Sequence, residues 1–281
     1  MHSKRPRDLY LHLMKQALSY LLWPEPDLPM MRFNYRRPPL KRFLIAAASR
    51  VLALKNISIV QRWAGVDAAR RAGNIWPMYA DTMIGLERLD NLQSCIETVI
   101  VDEVPGDFIE TGVWRGGACI FMRAVLAAHG VTDRRVFVAD SFKGLPKPDV
   151  EKWPADKGDR HHAEEHLSVS RQDVEKNFRR YELLDDQVVF LEGWFSETLP
   201  SAPIERLAVL RLDGDMYGST MEALQHLYPK LEPGGFCIVD DYQLPGCRAA
   251  VEDFRKQHAI AAEIQPLDGS GVFWRVSPGA R

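Results

Sequence analysis

From Asp107 onward, short apolar runs alternate with longer segments of helical spacing, and this alternation restricts the fold more than any other feature of the chain. "DFIETG", "RRVFVAD", "QVVFLEG", "LAVLRLDG" and "GFCIVDDY" read as strands. Between them, "GGACIFMRAVLAAHG" reads as a helix closed by Gly130, "SRQDVEKNFRRYEL" as one with Ser170 as N-cap, and "STMEALQHLYPKL" as one closed by "EPGG". Strands alternating with helices argue for a parallel α/β sheet. A further helix, "CRAAVEDFRKQH", precedes "AAEIQPL" and "GVFWRV", which "DGSG" joins into an antiparallel edge hairpin. Seven strands are expected in all.

Residues before about Gly106 are helical and irregular, divided by the proline-rich breaks "WPEPDLP" and "RRPPL". "DTMIGLERLDNLQSCIETVI" closes that part at helical spacing. The expected division is therefore a helical extension, residues 1–105, and an α/β domain, residues 106–281. The 281 residues are 46% hydrophobic and 26% charged, enough for one large domain with an appendage. A formal net charge of -2 argues against a nucleic-acid partner. Cys95, Cys119, Cys237 and Cys247 show no CxxC spacing, which suits a reduced, cytoplasmic protein and argues against zinc. No membrane span is expected: Arg50 and Lys55 make Phe43–Val60 an amphipathic helix. Lys15 and Gln16 interrupt the N-terminal apolar run, so it reads as a helix packed on the body and not as a signal peptide.

In parallel sheets of this kind, ligands bind beyond the carboxyl ends of the strands. "ETGVWRGG", Glu110 to Gly117, turns tightly after the first strand; it is neither GxGxxG nor a P-loop. An acid two residues before the glycine suits a positive or donor-rich ligand end, such as the amino group of S-adenosylmethionine. Asp140, at the end of the next strand, suits the two hydroxyls of a ribose. Two further strands end in "DGD" and "DD": Asp213, Asp215, Asp240 and Asp241. Like charges repel and lose hydration when buried, so something positive is expected between them. Oxygen donors without Cys or His suit Mg²⁺ or another hard divalent ion, which lowers the pKa of a bound hydroxyl. A remaining aspartate can take the proton. The plainer alternative is that these acids cap helices, with Asp241 near the following one and Ser219 capping "TMEALQHL" in their stead.

"FIETGVWRGG", "VADSFKGLP", "LEGWFSETLP", "RLDGDMYGST" and "PGGFCIVDDY", with "LYLHLMKQALSYLL" and "WPMYADTMIGLERLDNLQSCIETVI", together resemble the macrocin O-methyltransferase family. The likeness runs from Leu9 to Trp274 and is thinnest from about Met30 to Arg62. Members of that family methylate sugar hydroxyls of macrolide and aminocoumarin antibiotics. The resemblance implies a class I, Rossmann-like methyltransferase fold with a helical N-terminal lid, S-adenosylmethionine as methyl donor and a bound Mg²⁺. It assigns Glu110 and Gly112 to the methionine end of the cofactor, Asp140 and Ser141 to the ribose, and Gly193 and Trp194 to the adenine. Asp213, Asp240 and Asp241 match the metal ligands, with Asp215 as candidate general base. Thr82, Met83 and Ile84 of "TMIG" are expected to close over cofactor and substrate.

The implied acceptor is a deoxysugar on a natural product; a sugar of a surface polysaccharide or another diol is the alternative. A non-catalytic S-adenosylmethionine-binding partner protein is a second reading, against which the four aspartates argue. The glycine spacing argues against a third, an NAD-linked sugar oxidoreductase. The apolar N-terminal helices suggest a homodimer interface. Weaker signals have plainer readings. "DRHHAEEH", Asp159 to His166, reads as a solvated loop, one that can fold over the substrate, before it reads as a second metal site. "YRRPPLKR" reads as solvated surface. Trp63, Trp76, Trp114, Trp153 and Trp274 read as core or lid packing, and Trp194 alone as a ligand neighbour.

Overall fold

The computed structural model describes residues 5–24, 26–31, 34, 37–62 and 67–277. Trp63, and Tyr35 and Arg36 of the basic run, lie outside the described residues. The N-terminal part holds α1 (Pro6–Leu18), β1 (Leu28–Pro29), α2 (Pro39–Ala53), β2 (Val60–Gln61), α3 (Asp67–Arg71) and α4 (Gly85–Val101). The alternating part follows as β3 (Asp107–Thr111), α5 (Gly117–Ala128), β4 (Val136–Asp140), α6 (Arg171–Arg180), β5 (Val188–Glu192), α7 (Phe195–Thr198), β6 (Leu207–Leu212), α8 (Tyr217–Leu227), β7 (Leu231–Val239), α9 (Pro245–Gln257), β8 (Gln265–Pro266) and β9 (Val272–Arg275).

The seven-stranded sheet has the order β5-β4-β3-β6-β7-β9-β8. Its first five strands pair in parallel, and β9 is antiparallel to both β7 and β8. This is the mixed, Rossmann-like class I architecture that the sequence implied. The period of two decides the layers. Phe108, Val136 and Val138 pack with Leu11, Leu92, Phe121 and Phe178 of α1, α4, α5 and α6. Their neighbours Ile109, Phe137 and Ala139 face the other way, onto Leu224 of α8 and Val251 and Phe254 of α9. Both faces are thus covered, which is why the middles of the strands are apolar on both sides. Strand order reverses between β3 and β6, and that reversal opens a crevice at the carboxyl ends.

Two local expectations fail. The strand "AAEIQPL" shrinks to Gln265–Pro266, at the sheet edge, where a proline without an N–H ends the ladder. Ser219 does not cap α8, because the helix begins at Tyr217 and Ser219 lies within it. The orphan N–H groups of its first turn are met from far away in sequence: Asp156 Oδ1 accepts from Tyr217 N at 2.6 Å and Oδ2 from Gly218 N at 2.9 Å. Ser170 does cap α6, accepting from Asp173 N at 3.2 Å. In the N-terminal part, α1 buries Leu11, Met14 and Leu18 on the body, whereas α2 buries no residue. Lys41 and Arg42 of the basic run are exposed. Among the described residues, no helix is long and apolar enough to cross a membrane.

Candidate active site

The ends of β3, β4 and β6 are drawn together by backbone. Asp213 N donates to Thr111 O, and Gly112 N to Ala139 O, both at 2.9 Å. The chain turns at Gly112 with φ +84°, so close to β6 that a Cβ there would lie 1.7 Å from the Asp213 carbonyl oxygen. Asp140 Oδ2 accepts from Val113 N at 2.8 Å and Oδ1 from Phe142 N at 2.7 Å, so this carboxylate also shapes the turn after β3. Trp114, Phe142 and Asp215 hold left-handed φ of 47°, 56° and 58°. Such strain costs on the order of 1–3 kcal/mol per residue and gathers at functional sites.

The positive charge expected between the aspartates is present as two buried arginines. Arg211, on β6, is 1% exposed. Its Nη1 donates to Glu110 and, at 2.8 Å, to Asp213, and its Nη2 donates to Asp240. Arg88, on α4, donates to the other oxygen of Asp240 at 2.5 Å and to Asp268 at 2.6 Å. Glu110 completes its shell by accepting from the Cys119 thiol at 2.9 Å. Burial pushes Glu110 up to about 7 despite the opposing pull of Arg211. The sequence held a signal for Arg211: a lone arginine inside the apolar run "LAVLRL" must find carboxylates. Arg88 gave none, since a charge on a helix is ordinarily solvated.

Two arginines do not balance the acids. Asp215 is pushed up to about 7 by burial and by Asp213, and burial beside Asp215, Asp213 and Asp240 lifts Asp241 far above the carboxylate range. Asp241 Oδ2 accepts from Asp215 N at 3.1 Å, tying the two strand ends. One oxygen each from Asp213, Asp240 and Asp241 lies within 4.8 Å of the other two; among the described residues no other such group forms. An all-oxygen, half-buried set with surplus negative charge fits a hard divalent cation. The histidine-rich loop does not make a second such cluster.

These groups face one cavity of about 830 Å³, within the range of small-molecule sites. Every sequence-derived site residue lines it: Thr82, Met83, Ile84, Glu110, Gly112, Asp140, Ser141, Gly193, Trp194, Asp213, Asp215, Asp240 and Asp241. The stretch before Thr82 is fastened by Arg115, which donates to Met78 O at 3.0 Å and Ala80 O at 2.7 Å. Arg180 and Tyr181 hold Asp81 at 2.6 and 2.7 Å. Trp194 is not the only tryptophan here, because Trp76, Trp114 and Trp153 also line the cavity, while Trp274 is core. Nor is the histidine-rich loop simply solvated. His161 lines the cavity, and the His166 ring packs on Trp76 with centroids 4.2 Å apart.

Comparison with known proteins agrees with this geometry. The family model "Macrocin-O-methyltransferase (TylF)" matches residues 7–276. The chain is 53% identical to the mycinamicin III 3''-O-methyltransferase of Micromonospora griseorubida, over 96% of this chain and 97% of that one. It is 51% identical to the 8-demethyl-8-(2,3-dimethoxy-alpha-L-rhamnosyl)-tetracenomycin-C 4'-O-methyltransferase of Streptomyces olivaceus, over 96% and 93%. The solved structure of the O-methyltransferase NovP superposes with a TM-score of 0.82 at 42% identity, covering 97% of this chain and all (100%) of that one. The chain therefore belongs to the macrocin O-methyltransferase family and is an S-adenosylmethionine-dependent O-methyltransferase.

Proposed function

We propose that the chain transfers a methyl group to a hydroxyl of a deoxysugar carried by a natural product, with Mg²⁺ as a required ion. The observation that carries this reading is the shared cavity: the glycine turn with Glu110 and Asp140 opens beside the carboxylates of Asp213, Asp215, Asp240 and Asp241. The names of the two relatives, one of them acting on a rhamnosyl tetracenomycin, support the acceptor class.

S-adenosylmethionine would supply the electrophilic methyl group, and Mg²⁺, which Asp213, Asp240 and Asp241 would hold, would supply positive charge that lowers the pKa of an adjacent hydroxyl. Glu110 and Gly112 take the methionine end of the cofactor. Asp140 and Ser141 take the ribose. Gly193 and Trp194 border the adenine, and Thr82, Met83 and Ile84 close over both ligands. As the acceptor oxygen forms its bond to the methyl carbon, the carbon–sulfur bond breaks and the hydroxyl proton passes to Asp215. Alignment of oxygen, carbon and sulfur by these residues accounts for much of the rate.

Residues 1–105 form a helical extension and lid and residues 106–281 the catalytic domain, a division supported by Thr82–Ile84 at the cavity. A homodimer is supported by the exposed face of α2, where Leu40, Phe43, Leu44 and Val51 are at least 57% exposed, continued by Leu54 just beyond the helix. Four buried free thiols support a cytoplasmic enzyme. Mass spectrometry of 6-deoxyhexosyl macrolide and polyketide glycosides, incubated with cofactor and Mg²⁺, tests the reading. One added methyl group is expected, with turnover lost in excess EDTA and lowered about 100-fold or more in Asp215→Asn. Full turnover in EDTA removes the ion from the mechanism, and an unimpaired Asp215→Asn removes the base.

A further inference from the structure

The connection from Asp149 to Leu167 is the part of the cavity wall that the mechanism above does not use. It is pinned at two places. Asp156, 4% exposed, caps the first turn of α8 through two backbone N–H groups. Trp153 packs against Gly218 in that same turn, so closely that a Cβ on Gly218 would meet Trp153 Cδ1 at 2.5 Å. Farther along, Trp114 Nε1 donates to His166 O at 2.9 Å. The wall is thus anchored on the helix that begins two residues after Asp215.

From this wall His161 faces the cavity. Asp159 holds it twice: Oδ1 accepts from the His161 backbone N at 2.9 Å, and Oδ2 meets ring Nδ1 at 2.7 Å. A carboxylate at Nδ1 fixes that nitrogen as the protonated one and fixes the ring plane. Nε2 makes no hydrogen bond to the described residues. The ring is near enough to Asp215 to feel its charge: burial pulls the imidazole pKa down, but the Asp159 hydrogen bond and the field of Asp215 outweigh it. A turn that needed only local capping would use the backbone N–H and leave the ring in solvent.

We infer that His161 is a specificity-determining residue that touches the acceptor sugar: Nε2 hydrogen-bonds a hydroxyl next to the one methylated and so holds the reacting oxygen at Asp215. Asp159, Asp156 and Trp153 are positioning residues that act through it. The inference rests on the sugar-acceptor reading above.

The test uses the full-length enzyme and a 6-deoxyhexosyl glycoside that the wild type methylates, together with the analogues lacking one hydroxyl each. His161→Ala is expected to raise the acceptor KM about tenfold or more, the worth of one hydrogen bond to a polar partner, with cofactor affinity unchanged. The deoxy analogue lacking the contacted hydroxyl should show the same loss with the wild type, and His161→Ala should then add nothing. His161→Gln, which keeps a polar end, should recover part of the loss. A loss in His161→Ala that is equal for the parent glycoside and every deoxy analogue makes the residue merely structural and overturns the inference, as does an unchanged acceptor KM. If the wild type methylates no glycoside, the sugar-acceptor reading fails first and takes the inference with it. An Asp159→Asn variant that folds yet matches His161→Ala in its acceptor selectivity supports the orienting pair.

Discussion

The two sides of the cavity are held by different kinds of contact. At the ends of β3 and β4, the sheet's own backbone ladder continues into the site: Gly112 N to Ala139 O, Asp213 N to Thr111 O, and Asp140 bonded to the turn N–H groups of Val113 and Phe142. Across from it, the wall carrying His161 has no strand or long helix of its own. It is placed by side chains, through the Asp156 cap on α8 and the Trp153 contact with Gly218. Backbone pairing fixes geometry for any side chains that tolerate the strand. Side-chain anchoring fixes it only for the particular pair, so the second side is the one that a single substitution can move. Between the two stands Arg211, whose guanidinium joins Glu110 on the first side to Asp213 and Asp240 at the middle.

Breaking that joint should have the largest effect. Arg211→Met removes the shared counter-charge of three carboxylates while leaving Glu110 and Asp240 buried. Orphaning a buried charge costs about 3–5 kcal/mol, or a fall in Tm of roughly 10 °C in a chain of this size. Thermal melting of the purified variant checks it, and a Tm within about 2 °C of wild type would show that the two sides are held without Arg211.

Gly112→Ala strikes the backbone-built side alone. A methyl group 1.7 Å from the Asp213 carbonyl oxygen, at φ +84°, cannot be housed without parting β3 from β6. A stability loss of about 2–4 kcal/mol is expected, with cofactor affinity falling roughly 100-fold in equilibrium titration. Gly218→Ala strikes the other side. Alanine is the better helix former by about 1 kcal/mol, so overall stability should hold or drop only slightly as Trp153 is displaced. The acceptor KM should rise about tenfold, as for the loss of one good contact, while cofactor affinity stays as it was. Equal effects of the two glycine variants on both ligands would erase the distinction between the sides. Asp156→Ala removes a helix cap worth about 1 kcal/mol and should repeat the acceptor phenotype of Gly218→Ala in weaker form, seen by kinetics and urea unfolding.

An ion pair remote from both sides sets the lower end of the scale. Arg123 on α5 donates to Asp185, with Nη2 at 2.5 Å, and this bond holds the carboxyl below its ordinary pKa. Because the folded value is depressed, the unfolded chain binds the proton more readily. The pair therefore stabilises above the unfolded pKa of about 3.9, and that contribution is lost as pH falls through the folded value. Asp185 is 44% exposed, so Asp185→Asn should cost below about 1 kcal/mol near neutrality, and the two proteins should converge in acid unfolding. A gap that persists in acid would mean that the asparagine acts through something other than charge.

Legibility followed the same line between the sides. Glu110, Gly112, Asp140, Asp213, Asp240 and Asp241 could be placed at the cavity because strand ends are visible in sequence and ligands gather there. Arg211 carried a signal too, as a charge stranded in an apolar strand. The cap on α8 was misread because Ser219 is a good local capper, and nothing near it announces that Asp156, 61 residues from Tyr217, takes the place. Trp153 and Trp76 read as packing because an indole looks the same in a core and in a cavity wall. His161 read as solvated because its loop is polar, yet it is the anchoring of that loop that turns the ring inward.

By itself the sequence determined the order of strands and helices, the carboxylates at the strand ends and the glycine turn after β3. Each depends on hydrophobic period or on backbone conformation, and both are local properties of the chain. Only the tertiary structure decided which charges neutralise which, and which loop closes the cavity opposite the strand ends. Coulombic pairing and side-chain docking depend on distance in space, and residues such as Arg88 and Asp240 acquire a distance only when the sheet and its helices have assembled.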